Sequence, residues 1–267
     1  MPRQELSTMI DAAHKAGHQL LADFQQARST AQSPDETQAF LAKSDAAAAT
    51  LLKEALISAH PAHGLLIEGS PEIAGSGQSR WIVDPLDGYA NFARGLSHWA
   101  TAIALEDQAE IVAAVIHDPL RQETFSATRG DGAWLNGETR LRVADGGALS
   151  NAMLATGMPG AASPRRPEAI AVLNVMLQST AGLRQLGAAA LDMAYVAADR
   201  LDGYWNRRLD IWHYAAGLLI VREAGGAVIS VDGLSEDSFD NGLVAIRKPM
   251  SKDFIAAFQK GVAAHAS

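Results

Sequence analysis

The chain is predicted to be an α/β protein of alternating layers, an α/β/α/β/α sandwich, because apolar residues recur at helical spacing in some segments and in short strand-like runs in others. Two further observations shape that expectation. Three strand-like runs follow one another as an antiparallel meander in the first half, and the pattern changes after about Asp145 to strands alternating with helices. This divides the chain into an N-terminal α+β half, residues 1–145, and a C-terminal α/β half, residues 146–267.

The first element is an amphipathic helix over residues 4–26, where Leu6, Met9, Ile10, Ala13, Leu20 and Phe24 share one face. A polar segment, residues 28–37, follows. Ser44 or Asp45 then caps a second helix, which Pro61 ends near Ala59. Residues 65–67 read as a strand delivering Glu68, residues 69–79 as an exposed Gly-Ser-rich loop, and residues 81–83 as a buried strand. The meander occupies residues 101–105, 111–117 and 123–127. In the second half, strands are expected at 153–156, 227–230 and 243–246, and helices at 167–178, 187–198, 211–224 and 252–264.

Composition narrows the chemistry. With 48% of 267 residues hydrophobic, the chain can bury a substantial core. It has no cysteine, which excludes disulfides, iron-sulfur clusters and thiolate metal sites and leaves oxygen and imidazole as metal ligands. A formal charge of −8 argues against direct binding to nucleic acid. No apolar run approaches ~18 residues and the first residues lack a signal-peptide core, so a cytoplasmic protein without a membrane anchor is expected. His14 and His18, four apart on the first helix, read as surface residues. Arg165-Arg166 and Arg207-Arg208 read as solvated pairs that can also guide an anionic substrate.

The strongest chemical signal is residues 81–95, WIVDPLDGYANFARG. An apolar strand runs into Asp84-Pro85-Leu86-Asp87-Gly88, where the proline restricts φ and the glycine permits unusual backbone angles. Such a turn can bring both carboxylates and the Leu86 carbonyl onto a hard cation, with the Gly88 and Tyr89 amides left to hold a phosphate. An ordinary Asx turn with solvated acids is the plainer alternative.

The stretch resembles the D-P-[IL]-D-G-T-x-N-F signature of the inositol monophosphatase family, and the resemblance covers nearly the whole chain. LAKSD (41–45), LLIEG (65–69), RGDGAWLNG (129–137), ATGMP (155–159), RQLGAAALDMAYVAADRLDGYW (184–205) and DIWHYAAGLLIVREAGG (210–226) occur in family order. The resemblance implies the same layered fold, metal-dependent hydrolysis of small phosphomonoesters, and a homodimer. By position it implies Glu68, Asp84, the Leu86 carbonyl, Asp87 and a late helical residue, here His213, as metal ligands. It further implies Asp45, Glu68 and Tyr89 as the catalytic positions, with Asp45 in the place of the base, the Gly88 and Tyr89 amides as phosphate binders, and Ala189 and Asn206 on the substrate side. The cofactor implied is Mg²⁺, with Mn²⁺ or Zn²⁺ as alternatives because imidazole suits them better.

Several positions depart from the family pattern. Gly69 replaces the second Glu of a pair, Tyr89 replaces a Thr that orients the attacking water, His213 replaces an Asp ligand, and Asn206 replaces a sugar-binding Glu. A phenol cannot place its oxygen where a Thr hydroxyl lies, so Asp45 loses its partner. Asp210, three residues before His213, is a weaker substitute ligand. The expectation is a phosphatase of inositol or sugar phosphates with weakened or altered activity. The alternative is a catalytically silent member that binds a metabolite or a protein partner.

Overall fold

The computed structural model describes residues 3–30 and 33–266. Helices α1 (Arg3–Thr30) and α2 (Pro34–Ala59) come first, then β1 (Gly64–Ile67), β2 (Ser79–Asp87), the short α3 (Tyr89–Arg94), β3 (Ala100–Asp107), β4 (Glu110–Asp118), β5 (Glu123–Thr128), β6 (Gly132–Leu135) and β7 (Thr139–Arg140). These seven strands form one sheet in sequence order, with β1 parallel to β2 and every other pair antiparallel. The second sheet is ordered β11-β12-β10-β8-β9, from β8 (Met153–Thr156), β9 (Gly182–Arg184), β10 (Gly203–Asn206), β11 (Ala227–Ser230) and β12 (Leu243–Ile246). Between and around these strands lie α4 (Arg166–Ser179), α5 (Ala189–Ala197), α6 (Ile211–Glu223) and α7 (Ser251–Ala266).

The two-residue period of the strands sorts the layers. In the first sheet Trp81, Val83, Ile103, Leu105 and Val115 face α1 and α2 in one core cluster, while their neighbours Ile82, Ala102, Ala104, Ala114 and Ile116 face α5 and α6 in another. In the second sheet Ala155, Tyr204 and Ala245 join that middle cluster, and Leu154, Trp205, Val244 and Ile246 face α4 and α7. The order is therefore α1/α2, sheet, α5/α6, sheet, α4/α7, the α/β/α/β/α sandwich expected. Alanine on the sheet faces turned to the middle layer lets α5 and α6 approach closely, so two sheets share one helical layer. Among the described residues, no helix is long and apolar enough to cross a membrane.

Several elements differ from expectation. Helix α2 begins at Pro34, about a turn after α1 ends, and Ser44 and Asp45 lie mid-helix rather than capping it. The true start is a capping box: Glu36 N–H donates to Ser33 Oγ at 3.2 Å, and Ser33 N–H donates to the Glu36 carboxylate at 3.0 Å. Of the polar segment 28–37, residues 31 and 32 lie outside the described residues and the rest belongs to α1, the cap or α2. Asp84 to Asp87 is not a free turn but the end of β2, carried on a bulge. There the pairing steps from Asp84↔Ala102 to Asp87↔Ala100, three residues of β2 against two of β3. Pro85, which has no N–H for the ladder, sits in that bulge, and its carbonyl accepts from Thr101 Oγ1 at 2.9 Å. The elements α3, β6, β7, β9 and β10 were not expected at all, being six residues or fewer.

Ser33→Ala should lower stability by about 1 kcal/mol, the usual value of a helix cap, read as a drop in the thermal midpoint of roughly 2–4 °C for a chain of this size. An unchanged midpoint would show that the start of α2 is held by packing alone.

Candidate metal and phosphate site

The site lies where the parallel strands β1 and β2 end, which is where open α/β sheets leave a crevice. The register Ile67↔Val83, continued by the Glu68 N–H donating to the Val83 carbonyl at 3.0 Å, sets Glu68 beside Asp84. On the other side His213, in the first turn of α6, directs Nδ1 at Asp84 Oδ2 at 2.9 Å and Nε2 towards Glu68 Oε1 at 3.9 Å. Ligand atoms of Glu68, Asp84 and His213 lie within 4.8 Å of one another. Asp84 is fully buried, and its Oδ1 accepts the Leu86 amide at 3.1 Å, which fixes the carboxylate within the bulge.

Asp87 has a second partner set. Its carboxylate accepts the amides of Ala189 at 3.0 Å, Ala190 at 2.8 Å and Leu191 at 3.2 Å. These are the first N–H groups of α5, whose N-cap Ala188 offers no side-chain acceptor. Asp87 thus caps a helix about a hundred residues away and sits in the favourable end of its dipole.

Gly88 is required by backbone geometry. Its φ is +93° and a Cβ there would lie 2.8 Å from the His98 carbonyl. It starts α3, so Gly88 and Tyr89 line the cleft together with Glu68, Asp84, Leu86, Asp87, Ala189, Asn206 and His213. The Tyr89 hydroxyl accepts from Gln38 Nε2 on α2 at 3.1 Å. Burial, then the charge of Asp45, raises its pKa. Asp45 projects from the middle of α2, is half-buried, and titrates at about 6 because burial and then Asp84 oppose its charge. Asn206 ends β10 with both halves of its amide engaged: Nδ2 donates to the Tyr204 hydroxyl at 2.9 Å, and Oδ1 accepts the Arg207 amide at 2.7 Å. Asp210 is exposed at the N-cap of α6 and does not line the cleft. Gly69 is also exposed, at φ +73° with open space where a Cβ would be.

The electrostatics describe a site that lacks positive charge. Glu68 is raised to about 7 by burial, then by Asp84. Burial, then Asp84, also raises the Asp87 carboxyl well above the usual carboxylate range. Burial alone would lower His213, but its hydrogen bond to Asp84 and the charges of Asp84, Asp87 and Glu68 prevail and raise it to about 9. One imidazolium thus stands against Glu68, Asp84, Asp87 and Asp45, and in a low dielectric these acids hold protons or demand cations. Two carboxylates and an imidazole, with a third carboxylate and the Leu86 carbonyl nearby, form a donor set that fits a divalent cation, and the nitrogen favours Mn²⁺ or Zn²⁺ more than an all-oxygen site does.

Some supporting residues were not singled out from sequence. Asn91, the N-F asparagine of residues 81–95, donates from Nδ2 to the carbonyls of His98 at 2.7 Å and Leu186 at 2.6 Å, tying α3 to the loop before α5. Its place in the motif was the available signal. His98 Nε2 meets the buried Asp192 of α5 at 2.8 Å, and nothing local in the sequence points to that pair. His14 contacts Thr124 Oγ1 at 2.8 Å, away from the cleft.

Comparison with known proteins places the chain and its fold. A sequence profile of the inositol monophosphatase family matches residues 1–263. An inositol-1-monophosphatase of Rhizobium meliloti (strain 1021) is 42% identical over 229 residues, 85% of this chain and 86% of that one. The Nus factor SuhB of Escherichia coli (strain K12) is 36% identical over 252 residues, 94% of each chain. Among solved structures, the native extragenic suppressor protein suhB from Bartonella henselae superposes with a TM-score of 0.88 at 38% identity, covering 97% of this chain and 99% of that one. With the profile match over almost its full length and relatives of this closeness, the chain belongs to the inositol monophosphatase family.

Proposed function

We propose that the protein is a divalent-metal-dependent phosphatase of small phosphomonoesters, inositol or sugar phosphates, whose metal preference and rate are altered by His213 and Tyr89. The observation that carries this reading is the grouping of Glu68, Asp84 and His213 at the end of β1 and β2, with too few positive charges for the acids around them. Glu68, Asp84, Asp87, His213 and the Leu86 carbonyl hold the ions. Bound divalent cations neutralise phosphoryl oxygens and make water a better nucleophile near neutral pH. The Gly88 and Tyr89 amides at the start of α3 receive the phosphate, and Ala189 and Asn206 meet the leaving portion. Asp45, titrating at about 6, accepts a proton from the attacking water without the Thr hydroxyl that Tyr89 replaces.

A second reading, a catalytically silent member that engages a protein partner, draws on one geometric point. The Tyr89 hydroxyl accepts from Gln38 on α2, and the Asn206 amide has one partner at each end within its own β10 region, so both side chains are committed in part to the protein itself. The name Nus factor borne by the Escherichia coli relative makes that reading specific enough to test. Homodimer formation, carried over from the family, is tested by analytical ultracentrifugation.

Highly purified protein should release phosphate from a panel of inositol and sugar monophosphates with Mg²⁺, Mn²⁺ or Zn²⁺. Asp84→Asn should cost at least the roughly 10- to 100-fold in metal affinity that altering even an outer partner of a ligand produces. Absence of turnover with every metal would leave the silent reading standing. His213→Asp should raise the ratio of Mg²⁺- to Mn²⁺-supported kcat/KM by roughly tenfold as oxygen replaces nitrogen, and an unchanged ratio would remove His213 from the ligand set.

A linked prediction concerns pH. Folding raises Glu68 from 4.5 to about 7 and His213 from 6.5 to about 9, so the folded state binds the extra protons. Their stabilisation is complete below the lower value of each pair and is lost as pH rises through the higher one. His117, lowered to about 4 by burial and then His14, acts in the opposite sense below its ordinary 6.5, so pH 6.5 to 9 isolates the site. In chelator the thermal midpoint should fall across that window, and saturating Mn²⁺ should flatten the fall. An equal slope with and without metal would show that the cation binds elsewhere.

A further inference from the structure

We infer that the small pocket beside the cleft, where Arg165 and Arg207 meet, is a subsite for a second anionic group, phosphate or carboxylate, on the leaving portion of the substrate. This rests on the phosphomonoesterase reading, which places the reacting phosphate at the start of α3. The pocket shares Gly157, Met158 and Asn206 with the cleft, so it continues the cleft from the ends of β8 and β10, on the side away from the metal ligands. A substrate anchored by its phosphate at Gly88 and Tyr89 extends towards it.

The charges there do not balance. Glu168, in the first turn of α4, is the acid that lines the pocket, and it pairs with Arg207. Arg207 is further positioned by Nε donating to the Asn241 carbonyl at 3.2 Å and by its guanidinium lying 5.8 Å from the Phe258 ring centre. Arg165, just before α4, forms no ion pair among the described residues although it lines the same pocket, whereas Arg207 is paired with Glu168. A half-buried guanidinium at the wall of a largely apolar pocket, without an acid to pair with, favours an anion that enters from the cleft. Burial, then the neighbouring charges of Arg165 and Arg208, lower the pKa of Arg207. Walls from Val172, Trp205 and Phe258 keep the dielectric low and offer little competing polarity. In a chain of formal charge −8, this reversal of sign next to the reaction site selects for doubly charged substrates.

Glucose 1-phosphate, glucuronate 1-phosphate and glucose 1,6-bisphosphate differ only at C6, which is neutral, carboxylate or phosphate. They are compared by kcat/KM where turned over and by calorimetric Kd where not. The intact protein should prefer at least one C6 anion by roughly tenfold, the scale of a charge-assisted contact, and the favoured ester tells carboxylate from phosphate. Arg165→Met should erase the preference while leaving glucose 1-phosphate unchanged, Arg165→Lys should restore part of it, and Glu168→Gln should strengthen it by releasing Arg207. Lack of preference in the intact protein, no binding of any ester, or an equal loss on all three in folded Arg165→Met would overturn the subsite. Binding preference without turnover would support the subsite and count against the phosphatase reading alone.

Discussion

Three backbone amides at the start of α5 converge on the carboxylate of Asp87, and the middle layer is assembled around that contact. A helix start without its own cap leaves donors that must be satisfied once buried, and here the satisfying group comes from the end of a strand in the other half of the chain. Three residues earlier on the same strand, Asp84 holds His213 of α6. The last four residues of β2 therefore fasten both helices that separate the two sheets. Position and chemistry are inseparable at this point, because the acids that orient the helices are also the acids that face the cleft.

That arrangement places four carboxylates in a partly desolvated space with one imidazole. Although burial opposes it, the hydrogen bond to Asp84 and the surrounding acids raise His213 to about 9, which gives the site an internal positive charge. The imidazolium relieves part of the repulsion when no ion is bound and changes the donor chemistry when one is. The Tyr89 hydroxyl accepts from Gln38 on α2, which ties the start of α3 to the first layer.

Legibility from sequence followed the range of the interaction. The meander was readable because its strands, buried on both faces, are short and nearly continuous apolar runs separated by polar turns, and α6 and α7 were readable from their length. Strand β9 (Gly-Leu-Arg) and strand β10 (Gly-Tyr-Trp-Asn) lack the apolar run by which the equally short β8, β11 and β12 were read, and they exist because β8 and β12 offer edges to pair with. The start of α2 was misplaced although the S-P-D-E capping box is present at residues 33–36, because the polar run around it reads equally well as a loop. At the site, the acids of residues 84 and 87 and Glu68 were visible as motif positions, and the parallel register then placed Glu68 and Asp84 side by side.

Sequence by itself determined the family, the layered class and the acidic motif that the cleft displays, since these depend on residue type and order. Tertiary structure alone decided that Asp84 and Asp87 end a strand on a bulge, that Asp87 caps α5, that the Asn206 amide is tied to Tyr204, and that the one acid of the pocket lined by Arg165 pairs with Arg207 instead. Each of those facts joins residues distant along the chain, and only packing sets which buried donor or charge finds a partner and which is left for a ligand.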